Sequence, residues 1–207
     1  MLLPFKNWVR LDSNTGISPT NMTTNMTTKH KTFISYHHAN DETYKIAFKK
    51  IFADIHDIIV PWDVEIGDID PNLKADTIRR KIREEYLRDS TVTVVLIGSK
   101  TWQRKHVDWE IYSSLRDTNA NPRSGLVGIL LPTHPNFNSP KYNRHLIPPR
   151  LYDNLQNGFA TLYDWNKNPD EVERWMHEAF LNRNNPKILP NLQRELFVNN
   201  RTGNQWQ

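Results

Sequence analysis

The chain has 207 residues, no cysteine, and 27 lysines and arginines against 23 acidic residues, a formal net charge of +4. This length suits one domain with its own hydrophobic core, and the missing cysteine excludes disulfide bonds, cysteine-ligated metal and thiol catalysis. No apolar run approaches the ~20 residues of a membrane span and no signal-peptide pattern is present, so we expect a cytoplasmic protein without membrane contact. The small positive charge hints at an anionic partner, either nucleic acid or a phosphate-bearing small molecule.

The first thirty residues differ in composition from the rest of the chain. An Asn-Met-Thr-Thr sequence occurs twice in succession, from Asn21 and from Asn25, and lacks the apolar content that offsets the entropy of ordering. We therefore expect residues 1–30 to form a flexible leader. The alternative is a small cap in which Phe5 and Trp8 pack on the domain.

Short apolar strand segments then alternate with amphipathic helical segments. The predicted strands are Thr32–Tyr36, Ile58–Trp62, Thr91–Ile97, Leu126–Leu131 and Ala160–Tyr163. The predicted helices are Asp41–His56 with Asp41 as its cap, Leu73–Leu87, Lys105–Asp117 and a last one that begins at Pro169. Pro61 confines the second strand to an edge or a strand end, whereas the nearly continuous apolar third strand suits the centre of a parallel sheet.

This alternation predicts an α/β fold with a three-layer, flavodoxin-like architecture. Its sheet is five-stranded and mostly parallel, with helices on both faces. The folded domain is expected over residues 31–181, followed by a polar tail over 182–207 with at most one or two helical turns near Leu192 to Phe197. Ligands of such sheets bind beyond the carboxyl ends of the strands, so the residues after Tyr36, Trp62, Ile97 and Leu131 are the candidates for function.

Several common chemistries have little support in this sequence. Seven glycines provide neither Gly-x-Gly-x-x-Gly nor a Gly-Lys-Ser/Thr loop, which disfavours dinucleotide redox binding and P-loop hydrolysis. A receiver-type phosphoacceptor needs an acidic pair after the first strand, where this chain has Tyr36-His37-His38. The acids of the 63–72 loop suggest a magnesium nuclease, but alternating acids are more typical of a solvated turn. Those acids are Asp63, Glu65, Asp68 and Asp70.

The histidines do not predict a metal site. His37 and His38 are adjacent, and neighbouring side chains of an extended segment point in opposite directions, so both cannot easily bind one ion. His134 and His145 have no partner at ligand spacing. A polar wall of the crevice is therefore the favoured interpretation of His37 and His38, and no metal is expected.

One segment, residues 99–111, is placed on the rim of the predicted crevice because it connects the central strand to a helix. Helical spacing puts Glu110 beside the inward-facing positions Val107 and Ile111, where a carboxylate is partly desolvated. Such groups are often functional. The alternative is an ordinary glutamate of the first helical turns, stabilised by the helix dipole and paired with Arg104 or His106.

Four motifs occur in an order that resembles a known family. They are Phe33-Ile34-Ser35-Tyr36-His37, the run from Thr93 to Trp102, Trp109-Glu110-Ile111, and Leu162-Tyr163-Asp164-Trp165. Together they resemble the TIR-like proteins of bacterial anti-phage Thoeris systems, a divergent branch of the Toll/interleukin-1 receptor superfamily. The resemblance extends over about Lys31 to Leu181, and the run around "VLIGS" is its most specific part.

The resemblance implies an enzyme that cleaves the nicotinamide–ribose bond of NAD+ and closes the product into a cyclic ADP-ribose isomer. That isomer signals to a partner effector in phage-infected cells. NAD+ is the substrate, and no metal or further cofactor is implied. Assembly into a homo-oligomer on activation and a phage-derived trigger are also expected, whereas nucleic acid is not an expected partner.

The resemblance also implies roles for individual residues. Glu110 matches the catalytic glutamate of the family. The family often has a tryptophan four residues before this glutamate, where the present chain has His106. The residues expected to bind substrate are Phe33, Ser35 and Tyr36 at the end of the first strand, the Trp62–Asp63 step at the second, Ser99 and Trp102 after the third, and His106.

The implied chemistry sets requirements for these residues. Nicotinamide leaves as a neutral base, so positive charge gathers on the ribose and an ionised carboxylate stabilises it. We therefore expect Glu110 to be ionised, with Arg104 and Lys105 helping to keep it so and basic side chains holding the pyrophosphate. Tyr36, Trp62 and Trp102 are candidates for stacking on the rings of the substrate. The alternative function is a non-enzymatic TIR-like module that signals by oligomerising, with Glu110 as a surface ion-pair residue.

Overall fold

The structure is a computed structural model that describes residues 2–4, 29–62, 75–82, 84, 87–118 and 121–206. Most of the leader, the loop 63–74 and residue Asp63 with it lie outside the described residues. The strands are β1 (Leu2–Pro4), β2 (His30–Ser35), β3 (Ile59–Trp62), β4 (Val92–Ile97), β5 (Gly125–Leu130), β6 (Lys141–Asn143) and β7 (Ala160–Asp164). The helices are α1 (His38–Lys49), α2 (Ala75–Lys81), α3 (Lys105–Leu115), α4 (Pro149–Gln156) and α5 (Pro169–Asn182).

Five strands form one sheet in the order β3-β2-β4-β5-β7, and every neighbouring pair is parallel. This is the doubly wound order of the flavodoxin type, so the predicted fold class is confirmed. All six residues of β4 are buried at the centre of the sheet, as its apolar sequence predicts. β3 with Pro61 is an edge strand, where the missing N–H of proline does not interrupt a ladder.

Two hydrophobic clusters cover the two faces of the sheet. On one face, α1 and α5 supply residues such as Phe48 and Trp175. On the other face, α3 and α4 supply residues such as Ile111 and Leu151. A third, smaller cluster joins β2 to α2 and α3, and consists of Phe33, Ile78, Ile82, Leu87 and Trp109. None of the helices in the described ranges is long and apolar enough to cross a membrane.

Local structure differs from the sequence prediction at two helices. α1 begins at His38, so His37 and not Asp41 occupies the capping position, and Lys50–Ile55 continues the helix with a wider π-helical turn. α4 begins at Pro149, where the sequence pattern predicts no helix. It has only eight residues, and its buried residues include the polar Arg150 and Asn154.

Both termini contribute contacts to the domain. β1 pairs antiparallel with β6, and the proposed cap residues Phe5 and Trp8 lie outside the described residues. Residues 183–206 contain no helix or strand. They nevertheless bury Phe197 and Trp206 against the domain, so the polar composition of this segment hides two apolar anchors.

Candidate active site

The crevice at the switch point of the sheet lies between β2 and β4. These two strands are neighbours, but β2 continues into α1 on one face of the sheet and β4 continues towards α3 on the other. The two connections therefore separate at the carboxyl edge, which is where doubly wound sheets bind their ligands. Ser35 is the last residue of β2, and α3 passes close to that strand end.

Glu110 and Ser35 meet inside this crevice. Ser35 Oγ donates a hydrogen bond of 2.5 Å to Glu110 Oε2, and both side chains are buried, with Glu110 only 2% exposed. Burial raises the pKa of Glu110 to about 8, and the hydrogen bond from Ser35 only partly opposes this shift. Glu110 is therefore mostly protonated at pH 7 in the substrate-free protein.

Burial in this structure therefore disfavours the predicted ionised form of Glu110. The positive charge of Arg104 lowers the pKa of His37, and that of Lys105 lowers the pKa of His106. Burial is the largest influence on the pKa of Glu110. The prediction that Glu110 lies on the inward side of its helix is confirmed by its burial. An exposed surface ion pair, the alternative role for Glu110, does not fit this position.

A second buried carboxyl group, that of Asp41 in the first turn of α1, hydrogen-bonds to the segments that follow β4 and β5 at the same edge of the sheet. Its Oδ2 accepts a 3.0 Å hydrogen bond from Thr101 Oγ1, and its Oδ1 accepts a 3.5 Å bond from Thr133 Oγ1. Burial raises the pKa of Asp41, and these hydrogen bonds oppose the rise. A Cβ on Gly98 would lie 2.2 Å from Asp41 Oδ1, so the close approach of the Asp41 carboxyl group to the backbone at residue 98 requires glycine there.

Histidine and arginine side chains from the starts of α1 and α3 lie close enough to influence one another electrostatically. Burial lowers the pKa of His37 to about 4, assisted by the positive charge of Arg104 and by His38. Burial also lowers the pKa of His106, which lies one helical turn before Glu110. Within the described residues, Nδ1 of both rings and Nε of Arg104 are buried without a hydrogen-bond partner. These atoms are available to a polar ligand.

The other predicted site residues have different surroundings. Tyr36 is buried at the end of β2 with its ring 4.3 Å from that of His38, and Ser99 is half-buried in the turn after β4. Phe33 belongs to the core between β2, α2 and α3. Trp62 ends the edge strand, paired in register with Phe33, but its side chain lies outside the description.

Trp102 is 1% exposed and belongs to the hydrophobic cluster on the α3 and α4 face. Its indole is therefore packed against core residues, and the stacking role of Trp102 stays a prediction.

Asp41, Thr101 and Thr133 lie at this edge, but the sequence patterns do not predict a site position for them. Of the three, Asp41 alone has a sequence feature that draws attention to it, because an acid near the start of a helix is typical of a cap. No group of three or more histidine and acidic residues among the described ranges is arranged to hold a metal ion.

The fold and the buried glutamate together define a TIR-like α/β domain. The chain matches the model of the family described as Thoeris protein ThsB, TIR-like domain, over residues 33–136, half of the chain. The chain belongs to this family, whose Thoeris membership indicates a role in anti-phage defence together with a partner effector. No curated protein matches the chain. The matched residues include Ser35 and Glu110.

Proposed function

We propose that this protein cleaves the nicotinamide–ribose bond of NAD+ and closes the remainder into a cyclic ADP-ribose isomer that activates a partner effector. The observation that carries the proposal is the buried Ser35–Glu110 pair at the switch point of the sheet. Family membership supports it because the TIR-like class includes NAD-cleaving enzymes. Glu110 is the proposed catalytic residue.

The raised pKa of Glu110 fits a cationic substrate. The nicotinamide ring of NAD+ carries a positive charge, and an adjacent cation favours the ionised form of a buried carboxyl group. Substrate binding therefore generates the carboxylate that the chemistry needs. When the ribose C1–nitrogen bond breaks, nicotinamide leaves with the electron pair and the positive charge moves to the ribose, beside the carboxylate.

Cyclisation completes the reaction. A ring nitrogen of adenine or a hydroxyl of the second ribose forms the new bond to C1, and one proton is released to balance the charge. Nicotinamide and one cyclic molecule are the products. The nucleophile has to be held close to C1 with water excluded, since water at this position gives linear ADP-ribose.

The crevice wall supplies groups for the rest of the dinucleotide. Arg104 is the nearest candidate for the pyrophosphate, since its positive charge already acts on His37. The unpartnered nitrogens of His37 and His106 can hydrogen-bond to ribose or phosphate oxygens. Tyr36 is the proposed stacking residue among those with described side chains, and Trp62 and Asp63 remain part of the proposal.

Activation has to expose the glutamate. Glu110 is 2% exposed, so NAD+ reaches it only after a change at the carboxyl edge of the sheet. We assign that change to assembly of the protein on an infection cue. On this proposal the protein is inactive towards NAD+ before infection.

The test is the turnover of NAD+ by the purified full chain, with and without extract from phage-infected cells. Mass spectrometry measures NAD+, nicotinamide and cyclic products. Glu110→Gln is expected to lower kcat by ~10²–10³-fold, the usual loss when a transition-state charge contact is removed. Glu84→Gln is the matched control because Glu84 lies on the surface, with its side chain 66% exposed.

The outcomes separate the enzyme from the non-enzymatic module. Equal turnover by wild-type protein and Glu110→Gln overturns the catalytic assignment. A wild-type protein that leaves NAD+ unchanged in infected extract, together with full phage defence by Glu110→Gln in cells, favours an oligomerising scaffold.

A further inference from the structure

The segment after α5 is bound to the helix that carries Glu110. Residues 183–206 lie outside the matched family region and cross α3 and α4 without forming a helix or strand of their own. Phe197 and Trp206 of this segment are buried against the domain, and the indole N–H of Trp206 donates to the carbonyl of Ile147 at 2.7 Å. We call residues 194–206 the C-terminal strap.

The strongest contact between the strap and α3 is made by Asp108. Its carboxylate accepts a 2.9 Å bond from Arg150 Nε of α4 and a 3.0 Å bond from the backbone amide of Phe197 in the strap. Arg150 also donates to the carbonyl of Glu195 at 3.2 Å. Both side chains of this ion pair are almost completely buried, so α3, α4 and the strap meet at one desolvated carboxylate.

The strap holds the start of α3 at further points. The indole N–H of Trp109 donates to the carbonyl of Phe197 at 2.8 Å. The turn before the helix is bonded in both directions, since Arg201 N donates to the carbonyl of Gln103 and Gln103 Nε2 donates to the carbonyl of Gly203. The side chain of Asn200 accepts a 3.0 Å bond from the amide of Lys105, the first residue of α3.

These contacts fix the residues immediately before the proposed catalytic residue. Asp108 and Trp109 directly precede Glu110, and an α-helix is stiff over one turn, so a rotation at Asp108 displaces Glu110 as well. The Ser35–Glu110 contact is only 2.5 Å long. A displacement of about 1 Å at a reacting group commonly lowers a rate by ~10²-fold.

We infer that the C-terminal strap sets the position of α3, with Asp108 as the positioning residue that aligns Glu110 for the reaction. This inference rests on the proposed NAD+-cleaving function for its catalytic consequence. The alignment itself is independent of that function. Asp108 does not touch the substrate, and it acts through the amide of Phe197, the guanidinium of Arg150 and the helix.

The experiment compares two Asp→Asn variants of the full chain. Asp108→Asn weakens the ion pair that ties the strap to α3. Asp153→Asn weakens the ion pair that ties the same strap to α4, where Arg194 donates two bonds of 2.6 and 2.8 Å to Asp153. Trp109→Phe is a third variant, which removes the bond to Phe197 with a smaller effect on the core. Hydrogen exchange at the amides of α3 and kcat and KM for NAD+ are measured for each.

We expect Asp108→Asn and Trp109→Phe to speed exchange in α3 and to lower kcat by about tenfold or more, with KM changed less than threefold. Asp153→Asn keeps both α3 exchange and kcat near the wild-type values. If Asp108→Asn does not fold, Trp109→Phe decides. Unchanged α3 exchange in Trp109→Phe, or an equal kcat loss in all three variants in proportion to lost stability, overturns the inference.

The readouts separate the two proposals. A wild-type protein without NAD+ turnover in extract from phage-infected cells contradicts the proposed function, while faster α3 exchange in Asp108→Asn but not in Asp153→Asn still supports the alignment of α3 by the strap. Normal turnover with unchanged α3 exchange in Trp109→Phe contradicts the strap and leaves the function intact.

Discussion

Asp108 and Glu110 lie two residues apart on α3 and are equally buried, yet their surroundings differ in chemistry. Asp108 is paired with the guanidinium of Arg150 and the amide of Phe197. Glu110 is hydrogen-bonded to the neutral hydroxyl of Ser35, and burial raises its pKa to about 8. Residues two apart on a helix are rotated by about 200°, so the carboxyl groups face different elements.

The comparison shows that burial of an acid does not identify a catalytic group. A buried acid with a complete set of charged and polar partners belongs to the packing of the domain. A buried acid with one neutral partner retains a proton that substrate binding can displace. The partners of the acid therefore separate the two roles, and each of the following predictions changes one of these partners or one of the acids.

The largest effect is expected from removing the counter-charge of Asp108. Arg150→Met leaves a buried carboxylate without its cation, so the free energy of unfolding should fall by about 3–5 kcal/mol. Urea denaturation at pH 7 measures this change. Arg174→Met is the matched control, since Arg174 forms exposed ion pairs on α5 and should cost less than about 1 kcal/mol. Similar losses in both variants would contradict the assignment of Asp108 to packing.

A smaller effect, dependent on pH, is expected from Glu110→Gln. The folded protein holds the proton of Glu110 up to about pH 8, whereas a glutamate without this environment releases it near 4.5. The contribution of the protonated Glu110 to the free energy of unfolding is fully present below pH 4.5 and is lost as the pH rises to about 8. Relative to wild type, Glu110→Gln should therefore gain unfolding free energy between pH 5 and 9, on the order of a few kcal/mol.

Urea denaturation at pH 5 and at pH 9 checks this prediction. The exposed substitution Glu84→Gln provides the baseline, and its difference from wild type should not change with pH. A constant difference between Glu110→Gln and wild type across this range would mean that Glu110 has an ordinary pKa.

The smallest change in stability is expected from Ser35→Ala. Loss of the hydroxyl should cost about 1 kcal/mol of unfolding free energy. It should also raise the pKa of Glu110 further, because the hydrogen bond from Ser35 lowers it. If Glu110 reacts as a carboxylate, the rising limb of kcat/KM for NAD+ moves to higher pH.

Ser90→Ala is the matched control for Ser35→Ala. Ser90 also forms a buried hydroxyl contact, at 2.8 Å to Ser124 Oγ, and it precedes β4 at the opposite edge of the sheet. It should lower stability by a similar amount and leave the pH profile in place. A shift of the pH profile in both variants would contradict a specific effect of Ser35 on the pKa of Glu110.

Local patterns in the sequence predicted most of the sheet. β4 and β5 are buried on both faces, so their apolar runs are continuous and easily recognised. α4 escaped prediction because Arg150 and Asn154 occupy its buried side, where their polar atoms have partners in α3 and in the last 24 residues. Those partners are 37 to 45 residues away in the chain, so no local sequence pattern predicts them.

The candidate site was only partly predictable for the same reason. The strand-end position of Ser35 and the inward side of Glu110 follow from local periodicity. Their contact joins residues 75 positions apart, and the structure alone establishes it. Likewise, Trp102 and Tyr36 are both aromatic residues after a strand, and only packing assigned them to hydrophobic clusters on opposite faces of the sheet.

The sequence by itself determined the family, the chain order of the five strands of the main sheet, and the placement of Glu110 on the helix after the central strand. Those features depend on residue identity and on periods of two to four residues. Only the tertiary structure decided that Glu110 holds a proton, that Asp108 is paired, and that the polar C-terminal segment is bound to α3. Desolvation and ion pairing depend on which groups from distant parts of the chain lie close together, and the packing of the whole domain sets the distances between those groups.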